Sequence, residues 1–213
     1  MKTSNLSPQT LLANRLAQHY AEWIQVESVS LGGSQSTDES DIFSDIDLYV
    51  YTSRELPLDV RMKIATAQAA DPQQVEVGNE YWEPGDEFID ADTGIHVDVI
   101  FRPLDWATEQ MRQVLIKQEA SLGYSTCIWH NILEARILWD RNGRLKALQQ
   151  IAQRPYPERL KQAIVEKNYP VLASTYSSYL HQIELAVKRD DFVSIQHRVT
   201  ALLASYFDIL FAL

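Results

Sequence analysis

Three short segments carry residue types that could do chemistry: Leu31-Gly32-Gly33-Ser34, Ser44-Asp45-Ile46-Asp47-Leu48 and His96-Val97-Asp98-Val99-Ile100. Side chains alternate across a strand, so Asp45 and Asp47 share one face while Ile46, Leu48 and Val50 share the other. Two residues span roughly 6.6 Å of strand, a gap that two carboxylates close by converging on one ion. Like charges on one face are costly unless a cation compensates them. Oxygen donors without His or Cys in the pair favour magnesium or manganese over zinc. Asp98 alternates with apolar neighbours in the same way and shares its face with His96 and Ile100. If its strand lies beside that of Asp47, a third carboxylate joins the first two. The Gly32-Gly33-Ser34 turn is the complement, because glycines permit positive φ and let successive N–H groups face an anion such as phosphate. Taken singly, a Gly-Gly-Ser turn or an Asp-x-Asp pair is a weak signal; the combination in this order is a specific one.

Strands must position these groups, and the pattern up to about residue 101 supplies them. Ser7 followed by Pro8 predicts the start of a helix, with Leu12, Leu16, Tyr20, Trp23 and Ile24 at helical spacing. Strands are expected over 26–31, 46–51, 75–77 and 95–101, with a helix starting near Pro57. This alternation predicts an α/β (α+β) fold: a small mixed sheet packed by helices. After Pro103 the periodicity becomes helical, with breaks at Gly123, Gly143, Pro155-Tyr156-Pro157 and Pro170. A sheet domain over 1–102 and a helical bundle of four or five helices over 103–213 are therefore expected. The last two helices should form a hairpin, its aromatic residues, with Trp129 and Trp139, belonging to a core. The run Glu83, Asp86, Glu87, Asp90 and Asp92 reads as a long connection, either a functional loop or an exposed hairpin. Asp38, Glu39 and Asp41 read as a solvated acidic loop.

The 213 residues, 46% of them hydrophobic, suffice for a core that needs no disulfide or metal staple. One cysteine, Cys127, can form neither an internal bridge nor a metal cluster, which fits a reducing cytoplasm. The N-terminal residues lack the charged and apolar parts of a secretory signal, and no run approaches the ~20 apolar residues of a membrane span. A formal net charge of −10 argues against a long nucleic-acid partner but not against a single nucleotide accompanied by a divalent cation. The chain closes on Phe-Asp-Ile-Leu-Phe-Ala-Leu with no helix-stop residue, so this apolar end is expected to be buried, in a homodimer for instance, or to continue in a longer natural protein.

Gly33-Ser34, ten intervening residues, Asp45-Ile46-Asp47-Leu48 and the later Asp98 together resemble the signature of the polymerase-β-like nucleotidyltransferase superfamily. The resemblance implies that Gly33 and Ser34, with Gly32 before them, hold the phosphates of a nucleoside triphosphate. It implies that Asp45 and Asp47 ligate two magnesium ions, and that Asp98 ligates metal or accepts the proton of an attacking hydroxyl. ATP is the donor that relatives often use. Small-substrate members of the superfamily, such as the aminoglycoside and lincosamide nucleotidyltransferases, also follow the sheet domain with a helical bundle, so the acceptor is expected to be a hydroxyl of a small molecule or of a protein. The alternative that the resemblance offers is a regulatory, antitoxin-type protein that binds or modifies a partner. His96, Glu134 and Glu184 are lesser candidates for contact with substrate or for general base; His130 and His181 read as helix-surface partners of the two glutamates.

Overall fold

The computed structural model describes residues 7–32, 45–81 and 83–213. Gly33 and Ser34, the acidic residues Asp38, Glu39 and Asp41, and Trp82 lie outside the described residues. The chain forms two compact units, one from Met1–Thr108 with Asn131–Ile151 and one from Glu109–His130 with Ala152–Leu213.

The first unit opens with α1 (Pro8–Ala21), where the Ser7 hydroxyl accepts a 3.1 Å bond from the Thr10 N–H and Pro8 stands at the first helical position. Leu12, Leu16 and Tyr20 are buried, whereas Trp23 and Ile24 fall beyond the helix end and are exposed, a departure from the expected stripe. Then follow β1 (Val26–Leu31), β2 (Ile46–Thr52), α2 (Leu58–Gln68), β3 (Glu76–Asn79), β4 (Gly85–Ile89) and β5 (His96–Pro103). Next come α3 (Leu104–Arg112), α4 (Cys127–Glu134), β6 (Arg136–Asp140) and α5 (Arg144–Ala152), of which β6 returns to the sheet. The strand order is β3-β4-β5-β2-β1-β6, with β2 and β5 parallel at the centre and every other pair antiparallel.

One face of this sheet carries Val29, Ile46, Leu48, Val50, Phe88, Val97 and Val99, buried in one cluster with Leu12, Leu16 and Tyr20 of α1 and Val60 and Ala65 of α2. Two structural findings differ from the sequence pattern. Of the two readings of residues 83–92 the hairpin holds, since β4 runs through them antiparallel to both β3 and β5, but the strand is largely buried rather than exposed. A sixth strand, β6, stands among the helices of the second half.

The acids of the β4 region survive burial through arginines. Asp86, fully buried, accepts from Arg61 Nε (3.0 Å) and Nη2 (2.6 Å) and from the Gly78 N–H (2.9 Å). Arg61, itself buried, lies over the Phe101 ring at 4.0 Å. Asp90 pairs with Arg15 of α1, and Glu83 makes a two-pronged pair with Arg102.

In the second unit, α6 (Glu158–Tyr169), α7 (Tyr179–Val187) and α8 (Phe192–Ala212) pack on one another, α7 and α8 forming the expected hairpin. Ser178 caps α7, and Asp191 caps α8 through a 3.0 Å bond from the Ser194 N–H. A buried polar knot joins these helices to the preceding segment: Asp208 accepts from the Ser125 N–H at 3.0 Å, and Asn168 accepts from the Gly123 N–H at 2.9 Å while donating to the Ser121 carbonyl. Trp129 is buried and donates to the Ala152 carbonyl. The aromatic residues of the hairpin are largely exposed rather than core: Tyr176 94%, Phe192 76% and Phe211 66%. Leu213, at the apolar end, is exposed as well. Among the described residues no helix is long and apolar enough to cross a membrane.

The Arg61–Asp86 pair gives a direct test of what holds the sheet to α2. Arg61→Ala strands a buried carboxylate and is expected to lower unfolding stability by about 3–5 kcal/mol, measured by urea titration. Replacing both partners with apolar residues should cost much less than the single change.

Candidate active site

The parallel pairing of β2 with β5 sets Ile46 opposite Val97, Asp47 opposite Asp98 and Leu48 opposite Val99. Strand alternation then forces a choice. Because Ile46, Leu48, Val97 and Val99 are buried against α1 and α2, Asp47 and Asp98 stand on the other face, side by side and half-buried. Asp45 immediately precedes β2 and is exposed. On the far side of Asp98, antiparallel pairing places Glu87 of β4 directly opposite it. A row of carboxylates, Glu87, Asp98 and Asp47, thus crosses three neighbouring strands.

Glu87 was invisible as a site residue in the sequence because its strand was. The signal was present in the alternation of Asp86 and Phe88 with Glu87 and Ile89, but four acids within eight residues and the Pro84-Gly85 pair obscured it. Gly85 leaves room in this row: a Cβ there would lie 3.1 Å from the Val99 carbonyl and 3.6 Å from Asp98 Oδ1.

The electrostatics separate this row from the other acids of the unit. Asp86, Asp90 and Glu83 each have an arginine. Among the described residues no lysine or arginine forms an ion pair with Asp45, Asp47 or Asp98, and Glu87 has only His96 Nε2 at 3.5 Å and an Asn79 amide at 3.0 Å. Burial, then repulsion from Glu87 and Asp47, pushes the Asp98 carboxyl up to about 6, with His96 acting weakly in the opposite sense. Asp47 is also raised, by burial first and by Asp45 second.

An unneutralised row of hard oxygen donors fits a divalent cation of the magnesium type. Among the described residues no group of three or more His, Cys, Asp or Glu side chains is placed so as to hold a metal ion by itself. Magnesium does not need one, since it is commonly held by one or two carboxylates together with water and substrate phosphates.

Gly32, the first residue of the Gly-Gly-Ser run, lies beside this row. Its N–H donates to the Asp47 carbonyl at 2.9 Å, which ties it to β2. Gly32 has no positive φ; its lack of a side chain answers instead to the Tyr49 ring, which overlaps the place of a Cβ. His96 shares the acids' face and contacts Glu87. Glu184 and His181 face each other at 3.9 Å on the exposed surface of α7, in the other unit, and Glu134 is the last residue of α4.

Comparison with known proteins bears on what such a row does. The family model of the nucleotidyltransferase domain matches residues 12–120, just over half of the chain, a span that contains Gly32, Gly33, Ser34, Asp45, Asp47 and Asp98. No curated protein matches. Among solved structures, a nucleotidyltransferase-like protein from Exiguobacterium sibiricum is similar at 12% identity and a TM-score of 0.40, covering 90% of this chain. The chain spans 55% of that protein's length. A STING-associated CdnE c-di-GMP synthase from Capnocytophaga granulosa is similar at 10% identity and a TM-score of 0.32, covering 96% of this chain and 81% of its own. Likenesses this distant bear on neither donor nor acceptor. With the family model spanning the glycine turn, both strands and all three acids, the chain belongs to the nucleotidyltransferase domain family.

Proposed function

We propose that the chain moves a nucleoside monophosphate from a nucleoside triphosphate, ATP by default, to a hydroxyl of a small molecule or a protein, releasing pyrophosphate. The observation that carries this reading is the register of Asp47 with Asp98 on one sheet face without a basic partner. Asp45, Asp47 and Asp98 are the residues that would hold magnesium, or manganese in its place. When bound, such ions neutralise phosphate charge and lower the pKa of the acceptor hydroxyl.

The chain's own residues do the rest. In this reading Gly33 and Ser34 receive the terminal phosphates through N–H and hydroxyl donors, while Gly32, whose N–H is bonded to the Asp47 carbonyl, anchors the start of that segment. In the transfer itself the acceptor oxygen bonds to the α-phosphorus, the bond from that phosphorus to the bridging oxygen breaks, and pyrophosphate carries the electron pair away. The hydroxyl proton goes to Asp98.

Incubation with α-labelled triphosphates, magnesium and panels of aminoglycosides, lincosamides and cell proteins tests this reading. Label is expected to reach an acceptor, and Asp47→Ala or Asp98→Ala should each reduce transfer on the order of 10²–10³-fold. Transfer that persists at wild-type rate in both variants would remove the acids from the chemistry.

The Asp98 shift also fixes a pH dependence. Its folded-state value lies above its ordinary one, so the contribution to stability is complete below about pH 4 and is lost as pH rises through about 6. Metal-free Asp98→Asn protein should therefore melt above the wild type at pH 7.5, and by a smaller margin at pH 5. Magnesium affinity of the wild type should strengthen over the same interval.

A further inference from the structure

The proposed reaction gives Glu87 no task, although its carboxylate stands in the same row as Asp98 and Asp47. Antiparallel pairing of β4 with β5 sets it directly opposite Asp98, on the flank away from Asp47, with the two backbones about 5 Å apart. Its carboxylate is held from two strands: the Asn79 amide of β3 donates to Oε1 at 3.0 Å, and His96 Nε2 of β5 stands 3.5 Å from Oε2. The side chain is nonetheless 38% exposed, and each oxygen keeps a lone pair for a further donor. Glu83, Asp86 and Asp90 are spoken for by arginines, whereas among the described residues no lysine or arginine forms an ion pair with Glu87.

A cation shared by Asp47 and Asp98 lies over β2 and β5, with bonds of about 2.1 Å if it is magnesium. Asp98 then separates it from Glu87, which is left free of the metal. The acceptor hydroxyl that gives its proton to Asp98 lies within about 3 Å of that carboxylate. Toward Asp47 its surroundings are taken by the cation and the phosphates of the donor; toward β4 they are Glu87. We propose that Glu87 reads the acceptor, taking a hydrogen bond from a donor group carried on the carbon next to the attacked hydroxyl. The inference rests on the proposed nucleotidyl transfer and names its acceptor class: a 1,2-diol or a 1,2-amino alcohol, whose hydroxyl or ammonium supplies that bond. A phosphate or carboxylate in the same place would meet Glu87 as a like charge and be turned away.

The test uses the full chain with magnesium and a non-hydrolysable ATP analogue bound, and reads three probes by calorimetry: kanamycin for the amino alcohol, sucrose for the diol and glucose 6-phosphate for the anion. The wild type is expected to bind kanamycin, sucrose or both, and to refuse glucose 6-phosphate. Glu87→Gln should weaken the bound probe about tenfold, the scale of a hydrogen bond to a charged group. Glu87→Asp, which keeps the charge, should lose less, and in both variants the loss should fall on the probe rather than on the analogue. Equal probe affinity in wild type and Glu87→Gln, a preference for glucose 6-phosphate, or no binding of kanamycin and sucrose to a chain that holds the analogue overturns the inference and leaves the nucleotide reading intact. A matching loss of analogue affinity would put Glu87 in the donor site and overturn the inference as well. A wild-type protein that does not bind the analogue overturns the nucleotide reading, and the inference falls with it.

Discussion

Two carboxylates at the centre of a sheet, Asp47 and Asp98, are held next to each other with no lysine or arginine among the described residues in an ion pair with either. The rest of the sheet unit is arranged around that constraint. Parallel pairing of β2 with β5 brings them together, and the apolar residues that alternate with them lock the register, because a one-residue slip of either strand would turn its acid into the core. Holding them this way costs stability, visible in the raised proton affinity of both groups. A strained group of this kind is what a site for a cation and an anionic substrate requires.

The contrast with the remaining acids sharpens the point. Asp86 and Asp90 are more deeply buried than Asp47 or Asp98, yet arginines from α2 and α1 meet them. Glu83 is answered by Arg102. The sheet thus has two populations of acidic residue: one neutralised by the chain and serving the packing of helix on sheet, the other left for something the chain does not supply.

Much of this was legible in the sequence, because the decisive patterns are local. Period-two alternation through 46–51 and 96–101 defines both strands and which side the acids occupy, and Ser7-Pro8 marks the start of α1. The parts that were not legible depend on distant partners. The β4 region reads as a polar loop until Arg15, Arg61 and Arg102, contributed by three other elements, are placed against its acids. β6 is a five-residue strand whose apolar residues merge with the helical periodicity on either side. The aromatic residues of α8 have helical spacing, but spacing cannot say how much of a helix is covered, and Phe192 and Phe211 are exposed. In the site, Glu87 was hidden with its strand, and the demand for glycine at position 32 arises from the Tyr49 ring seventeen residues on.

The central claim is that Asp47 and Asp98 share a divalent cation with the phosphates of a bound nucleotide. Crystals grown with manganese and a non-hydrolysable triphosphate would decide it through anomalous scattering. The account expects a manganese peak in contact with both carboxylates, its remaining ligands including phosphate oxygens. Triphosphate bound with no metal at these acids, or manganese held by other residues, would contradict it.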